Sequence, residues 1–194
     1  MKPPELILGS SSPYRRQLLE RLGLPFRCVS AAVDESPLPG EAPASTAERL
    51  AALKARAVAA KEPRALVIAS DQVAELHGMP LNKPGTHANA VRQLRQMRGQ
   101  RVLFHTALCV VDFTSAHAQS AMVPTIVHMR ELTDAQIENY LQREQPYDCA
   151  GSAKIESLGI ALVSKVESDD PTALIGLPLI ALVSMLTNVG VAIL

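Results

Sequence analysis

Apolar and polar positions change along this chain in short blocks, and the first block joins a strand pattern to a helix pattern. Glu5-Leu6-Ile7-Leu8 is a compact apolar run that suits a buried strand, and Gly9 with Ser10, Ser11 and Ser12 lets the backbone turn and come close to a ligand. Ser12 stands where a helix N-cap belongs, with Pro13 at the first helical position, where its missing N–H costs nothing. Leu18, Leu19 and Leu22 then form one apolar face and Gly23 marks the stop. Further on, the pattern predicts a strand over 26–30 and a proline-rich loop over 37–43. An alanine-rich helix to about Ala60 follows, capped by Ser45 or Thr46, with Glu48 in the capping-box position.

Residues 65–69 are a second buried apolar run, ending in Ser70-Asp71-Gln72. Asn82-Lys83-Pro84-Gly85 breaks the chain, and Thr86 can cap a helix reaching Met97 and closed by Gly99. Strands are expected over 102–111, 124–130 and 160–166, with a helix from Thr133 to about Arg143 and an apolar C-terminal helix. Alternating strands and helices argue for the α/β class, and with no internal repeat or long linker the simplest partition is one domain, 1–194.

Composition narrows the function classes. Nineteen basic and nineteen acidic side chains cancel, so no overall field recruits a nucleic acid polymer or an anionic membrane. Three cysteines without C-x-x-C spacing, and five scattered histidines, offer neither a disulfide framework nor a zinc cluster, which fits a reducing cytoplasm. The opening Met1-Lys2-Pro3-Pro4-Glu5 leads into too short an apolar run for a signal peptide. Residues 171–194 carry no charge and approach the length of a membrane span, but Gly176, Pro178, Asn188 and Gly190 interrupt them, so a buried helix is expected rather than a membrane anchor.

The candidate chemistry gathers at element ends. Free N–H groups and the positive end of the first helix, three hydroxyls, Arg15 and Arg16 suit a phosphate. The same pattern also builds turns that bind nothing, and the segment alone leaves both readings open. Asp71, directly after a buried strand, lies where α/β sheets bind ligands, although an aspartate there also serves simply to close a turn. Asp34, Glu35, Lys54, Lys83, Asp148 and Lys154 stand near similar ends, each with a solvated-surface alternative. Carboxylates with lysines and arginines, and no Cys/His ligand set, point to hard-cation chemistry on phosphates.

Several of these pieces occur together in one known order. Ser12-Pro13-Tyr14-Arg15-Arg16, Val33-Asp34-Glu35, Arg49-Leu50 with Lys54-Ala55, Ser70-Asp71-Gln72, Lys83-Pro84, Ala150-Gly151-Ser152 and Gly176-Leu177-Pro178-Leu179 resemble the motifs of the Maf family, in register over nearly the whole chain. The resemblance implies an elongated mixed β-sheet with surrounding helices and a central cleft between two lobes, similar to the inosine triphosphate pyrophosphatases. It implies a nucleoside triphosphate pyrophosphatase that uses a divalent cation, Mg²⁺ or Mn²⁺, acts on a small-molecule nucleotide and forms a homodimer. By the same resemblance Asp71 is the catalytic general base. Ser12, Arg15, Lys54, Lys83 and Lys154 bind phosphate, and Glu35, Asp71 and Asp148 are the metal ligands.

Within the family the chain is most similar to the subgroup acting on 7-methyl-GTP, because Tyr14, Gln72 and Glu156 stand where the dTTP/UTP subgroup typically has Arg, Thr and Gln. A carboxylate such as Glu156 can accept from guanine N1–H and the exocyclic amine together, and N7 methylation makes the base cationic, which favours a carboxylate and the Tyr14 ring. Asn82, Ala107 and Ser157-Leu158 depart from the family pattern around these motifs. The alternatives are dTTP/UTP specificity, or a nucleotide-binding regulator, since the family is also associated with inhibition of septum formation.

Overall fold

The computed structural model describes residues 4–112 and 117–194; Met1, Lys2 and Pro3, which enter the reading of the leading segment, lie outside them. Seven strands form one mixed sheet: β1 (Glu5–Leu8), β2 (Phe26–Cys28), β3 (Ala65–Leu76), β4 (Met79–Leu81), β5 (Arg101–Asp112), β6 (His117–Met129) and β7 (Val163–Ser168). Their order is β2-β1-β3-β5-β6-β7, with β4 hairpinned onto β3. β1 lies parallel to both β2 and β3, whereas β3–β4 and β6–β7 are antiparallel. The helices are α1 (Pro13–Glu20), α2 (Pro43–Ala59), α3 (His87–Met97), α4 (Asp134–Glu144) and α5 (Leu179–Asn188). The α/β class and the mixed sheet are therefore as expected.

The chain divides into two compact units. The first comprises Met1–Gln72, Thr106–Val123 and Asp170–Leu194. Its core joins Leu6 and Leu8 of β1, Leu18 and Leu19 of α1, Leu66 and Ile68 of β3, Leu108 and Val110 of β5, and Leu182, Met185 and Leu186 of α5. Each fully buried leucine here contributes roughly 1.5–3 kcal/mol relative to exposure. At Gly9 the backbone N–H donates to the Ile68 carbonyl at 2.7 Å, and an added Cβ would reach ordinary contact with the Ala69 Cβ at 3.4 Å.

The second unit comprises Val73–His105 and Pro124–Asp169. α3 packs on α4, with Leu94, Met97, Ile137 and Leu141 fully buried between polar outer faces. The Tyr140 hydroxyl donates to the Ser152 carbonyl at 3.1 Å and accepts from Lys154 N–H at 3.0 Å, tying the turn after α4 to the helix.

Several boundaries differ from the pattern. α2 begins at Pro43, with Ala42 as an N-cap that offers no side chain, rather than at Ser45 or Thr46. Proline preset the first turn two residues earlier, and the Thr46 hydroxyl instead donates to Glu41 Oε2 at 2.9 Å. β3 runs on to Leu76, so Asp71 lies inside a long strand and not just beyond its end. Residues 158–162 form a 3₁₀ turn before β7, which starts at Val163. α5 spans ten residues, and no helix among the described residues is long and apolar enough to cross a membrane.

Candidate functional site

Within the first unit, α1, the 33–42 loop, α2 and β3 bring charged groups together. α1 starts as the sequence predicts: Ser12 is the N-cap and Pro13 follows it, with the Ser12 hydroxyl accepting a long hydrogen bond from Arg15 N–H at 3.4 Å. Ser12 N–H in turn donates to Ser10 Oγ at 3.1 Å, which keeps the serine turn folded over the helix end. Arg15 extends to the loop before α5, where its Nε donates to the Gly176 carbonyl at 2.9 Å. Arg16, one residue round the helix, is exposed and pairs with Glu20 at 2.9 Å, so it does not join Arg15 as the sequence reading expected.

The centre of the cluster is Lys54. α2 places it facing inward, and its ammonium lies 2.6 Å from Asp71 Oδ1 and 2.7 Å from Glu35 Oε2. Lys54 and Asp71 are buried, with side chains 8% and 9% exposed, whereas Glu35 reaches in from the surface at 56%. The solvated-surface alternative for Lys54 is thus excluded. Burial pushes the Asp71 carboxyl above the usual aspartate value, Lys54 and Arg15 hold it down, and Glu35 adds to the rise. Burial likewise lowers the Arg15 guanidinium, opposed by the charges of Asp71 and Glu35, but an arginine remains protonated.

Glu35 owes its place to a network that sequence reasoning passed over. Glu41 accepts from Arg49 Nε at 2.6 Å and Nη2 at 2.7 Å, from the Thr46 hydroxyl and from Leu38 N–H. Arg49 Nη2 also donates to the Ser36 carbonyl at 3.1 Å, one residue after Glu35. The loop is therefore folded around a bidentate arginine–carboxylate pair. The only signal in the sequence is Arg49 within a motif; nothing marks Glu41 in its proline-rich loop.

Other predicted residues have separate surroundings. Tyr14 is half-buried in the first turn of α1. Gln72 points its amide nitrogen at Thr106 Oγ1, Ala173 O and Leu174 O, at 2.9, 3.0 and 3.0 Å. In the second unit, Lys83 lines a cavity of about 380 Å³ with Asn82, Asn89, Arg92 and Gln93. Lys154 pairs with Glu144 at 3.0 Å. Glu156 and Asp148 lie at the surface, the Glu156 carboxyl raised by desolvation and by the charges of Glu144 and Asp148 against the pull of Lys154.

A divalent cation fits part of this arrangement. Glu35 Oε2 and Asp71 Oδ1 both meet the Lys54 ammonium, and each carboxylate has a second oxygen for a hard cation; Mg²⁺ commonly takes one or two carboxylates together with phosphate oxygens and water. Among the described residues no three His, Cys, Asp or Glu side chains gather into a ligand group, so a complete protein-only cage is not formed.

The family model described as "Maf-like protein" matches residues 5–189, spanning the serine turn, Lys54, Asp71 and the Gly176 loop together. The chain belongs to the Maf family. Relatives of this Maf chain include the protein of a Polaromonas species, 61% identical over 97% of this chain and 86% of its own length. Those of Methylobacillus flagellatus (60% identical, covering 97% and 98%) and Cupriavidus metallidurans (58%, covering 96% and 94%) are similarly near. All three carry the name 7-methyl-GTP pyrophosphatase.

Proposed function

We propose that this Maf chain is a nucleoside triphosphate pyrophosphatase that hydrolyses 7-methyl-GTP to 7-methyl-GMP and pyrophosphate. The observation that carries the reading is the buried Lys54–Asp71 pair with Glu35 on the same ammonium, in a chain about 60% identical to proteins of that name.

In this reading Asp71 accepts a proton from water, whose oxygen attacks the α-phosphorus while the bond to the bridging oxygen breaks and pyrophosphate leaves with that oxygen. Burial raises the Asp71 carboxyl from the ordinary aspartate value, against the pull of Lys54 and Arg15, and a carboxylate so raised is a stronger base for this step. Lys54 has three donors and spends two on Asp71 and Glu35, so the third is available to a phosphate oxygen. Arg15 donates its Nε to Gly176 and keeps its two Nη groups for the triphosphate, beside the Ser12 turn. By the family resemblance Lys83 and Lys154, both of the second unit, are assigned to phosphate.

A divalent cation, Mg²⁺ or Mn²⁺, would be held by Glu35 with Asp71 sharing it, and would neutralise charge on the phosphates. By the family resemblance Tyr14 and Glu156 are the base-selecting residues; an aromatic ring face and a carboxylate acceptor each favour a cationic methylated guanine. Retention of Asp71 and Lys54 as a pair favours catalysis over simple nucleotide binding by a regulator.

The test is product analysis. Incubated with 7-methyl-GTP and Mg²⁺ or Mn²⁺, the protein is expected to yield 7-methyl-GMP and pyrophosphate in equal amounts, and Asp71→Asn to lose turnover by about 10²–10⁴-fold, the scale of general-base catalysis. Release of orthophosphate with the diphosphate, or full turnover by Asp71→Asn, contradicts the reading.

A further inference from the structure

In the second unit, the segment around Lys83 is held from a single helix. α3 carries Asn89 and Gln93 four residues apart, so the two side chains leave one face of it. Asn89 Nδ2 donates to the Pro84 carbonyl at 2.9 Å and Gln93 Nε2 to the Asn82 carbonyl at 2.8 Å. These carbonyls stand on either side of Lys83, and Pro84 restricts the residue before it to extended backbone. The main chain of Lys83 is therefore fixed at both ends while the residue itself stays exposed.

Gln93 reaches further than Asn89. Its Oε1 accepts from the Ser152 hydroxyl at 2.6 Å, so one carboxamide joins the Lys83 segment to the Ala150–Ser152 turn. The orientation of the amide follows from its partners, because a carbonyl can only accept and must face the nitrogen. Ser152 is fully buried with φ +57°, a backbone state that a serine keeps only where its surroundings hold it. Its carbonyl accepts from the Tyr140 hydroxyl, which itself accepts from Lys154 N–H at 3.0 Å. An unbroken run of hydrogen bonds, all inside the second unit, thus leads from the carbonyl before Lys83 to the backbone of Lys154.

We infer that Gln93 is a positioning residue: by joining the Asn82 carbonyl to the Ser152 hydroxyl it holds Lys83 and Lys154 in one register for a polyphosphate. The inference rests on the assignment of Lys83 to phosphate. A lysine is a point charge on a flexible four-carbon stem, so the positions open to its ammonium depend on where its main chain is held. A segment fixed before the anion arrives loses less freedom on binding.

The experiment titrates inorganic tripolyphosphate, followed by calorimetry, into wild type, Gln93→Met, Lys83→Met and the double variant. Gln93→Met keeps the side-chain length and the charge and removes both bonds. It is expected to weaken binding by about three- to tenfold where Lys83 is present, the scale of one hydrogen bond, and to change nothing in the Lys83→Met background. Equal weakening in both backgrounds overturns the inference, as does unaltered binding by Gln93→Met when Lys83→Met binds weakly. A partly misfolded variant shows fewer sites with an unmoved constant, and that result for Gln93→Met overturns it too. Unaltered binding by Lys83→Met overturns the assignment of Lys83 to phosphate and the inference with it. The titration needs no turnover, so failure to hydrolyse 7-methyl-GTP overturns the proposed activity alone.

Ser152→Ala supplies a second variant that leaves α3 untouched. It removes only the far half of the link and is expected to weaken tripolyphosphate binding in the same direction, adding nothing to the effect of Gln93→Met. Unaltered binding by Ser152→Ala, or a weakening that multiplies with that of Gln93→Met, overturns the inference.

Discussion

Lys54 and Asp71 form a buried ion pair at 2.6 Å, each side chain less than a tenth exposed. Breaking such a pair by removing one member leaves an uncompensated buried charge and costs about 3–5 kcal/mol. Lys54→Met is therefore expected to lower the melting temperature by roughly 10 °C in a chain of this length. The sign of its pH dependence follows from Asp71. Without Lys54 the carboxyl rises further, so the lost stability is smallest at low pH, where Asp71 is protonated, and grows as pH rises through its folded-state pKa. Melting curves from pH 5 to 8 check this, and Lys54→Met with Asp71→Asn together should recover part of the loss.

With Asp71 as the proposed base, its carboxyl sets the acid limb of turnover. Its carboxyl lies above the ordinary value of 3.8, so kcat should fall with decreasing pH at an inflection above 3.8. A pH–rate profile reads it directly, and an acid limb at or below 3.8 would count against Asp71 as base.

Glu41 supplies a separate acid sensitivity. Arg49 and the hydrogen bonds from Leu38 and Thr46 hold its carboxyl down from 4.5 to about 2. A depressed carboxylate contributes stability above its unfolded value and loses it as pH falls, so the contribution should fade between pH 4.5 and about 2. Acid denaturation of Glu41→Gln should show less of this pH dependence than wild type, and its Glu35 loop should become more sensitive to proteolysis at neutral pH.

Base selection is tested at Tyr14 and Glu156. In the proposed reading Tyr14→Arg would set a cation against the cationic base and Glu156→Gln would remove a charge-assisted acceptor. Each is expected to lower kcat/KM for 7-methyl-GTP relative to UTP by about 3- to 30-fold, the range of one exposed-to-buried cation–π or charged hydrogen bond.

Much of the fold and part of the site were legible in the chain. The Ser12-Pro13 start of α1 and the Thr86 cap were readable because a capping side chain is a local event: each accepts from a backbone N–H three residues on. The start of α2 was misread because Ser45 and Thr46 offered a better local cap than Ala42, while Pro43 set the turn earlier. The end of β3 was misread because polar Ser70, Asp71 and Gln72 interrupt the apolar pattern although Ser70 and Asp71 are buried. Their partners are Ala107, Gly176 and Lys54, all distant in sequence, and no local rule exposes them. Asp170 escaped notice for the same reason: it is buried and accepts from Thr172 and Ile180 N–H, bracing the start of α5.

The most direct test of the central claim is the rate of pyrophosphate release from a nucleotide panel of 7-methyl-GTP, GTP, UTP and dTTP, at saturating Mg²⁺ or Mn²⁺. The highest kcat/KM is expected for 7-methyl-GTP. Equal or faster release from UTP or dTTP would contradict it.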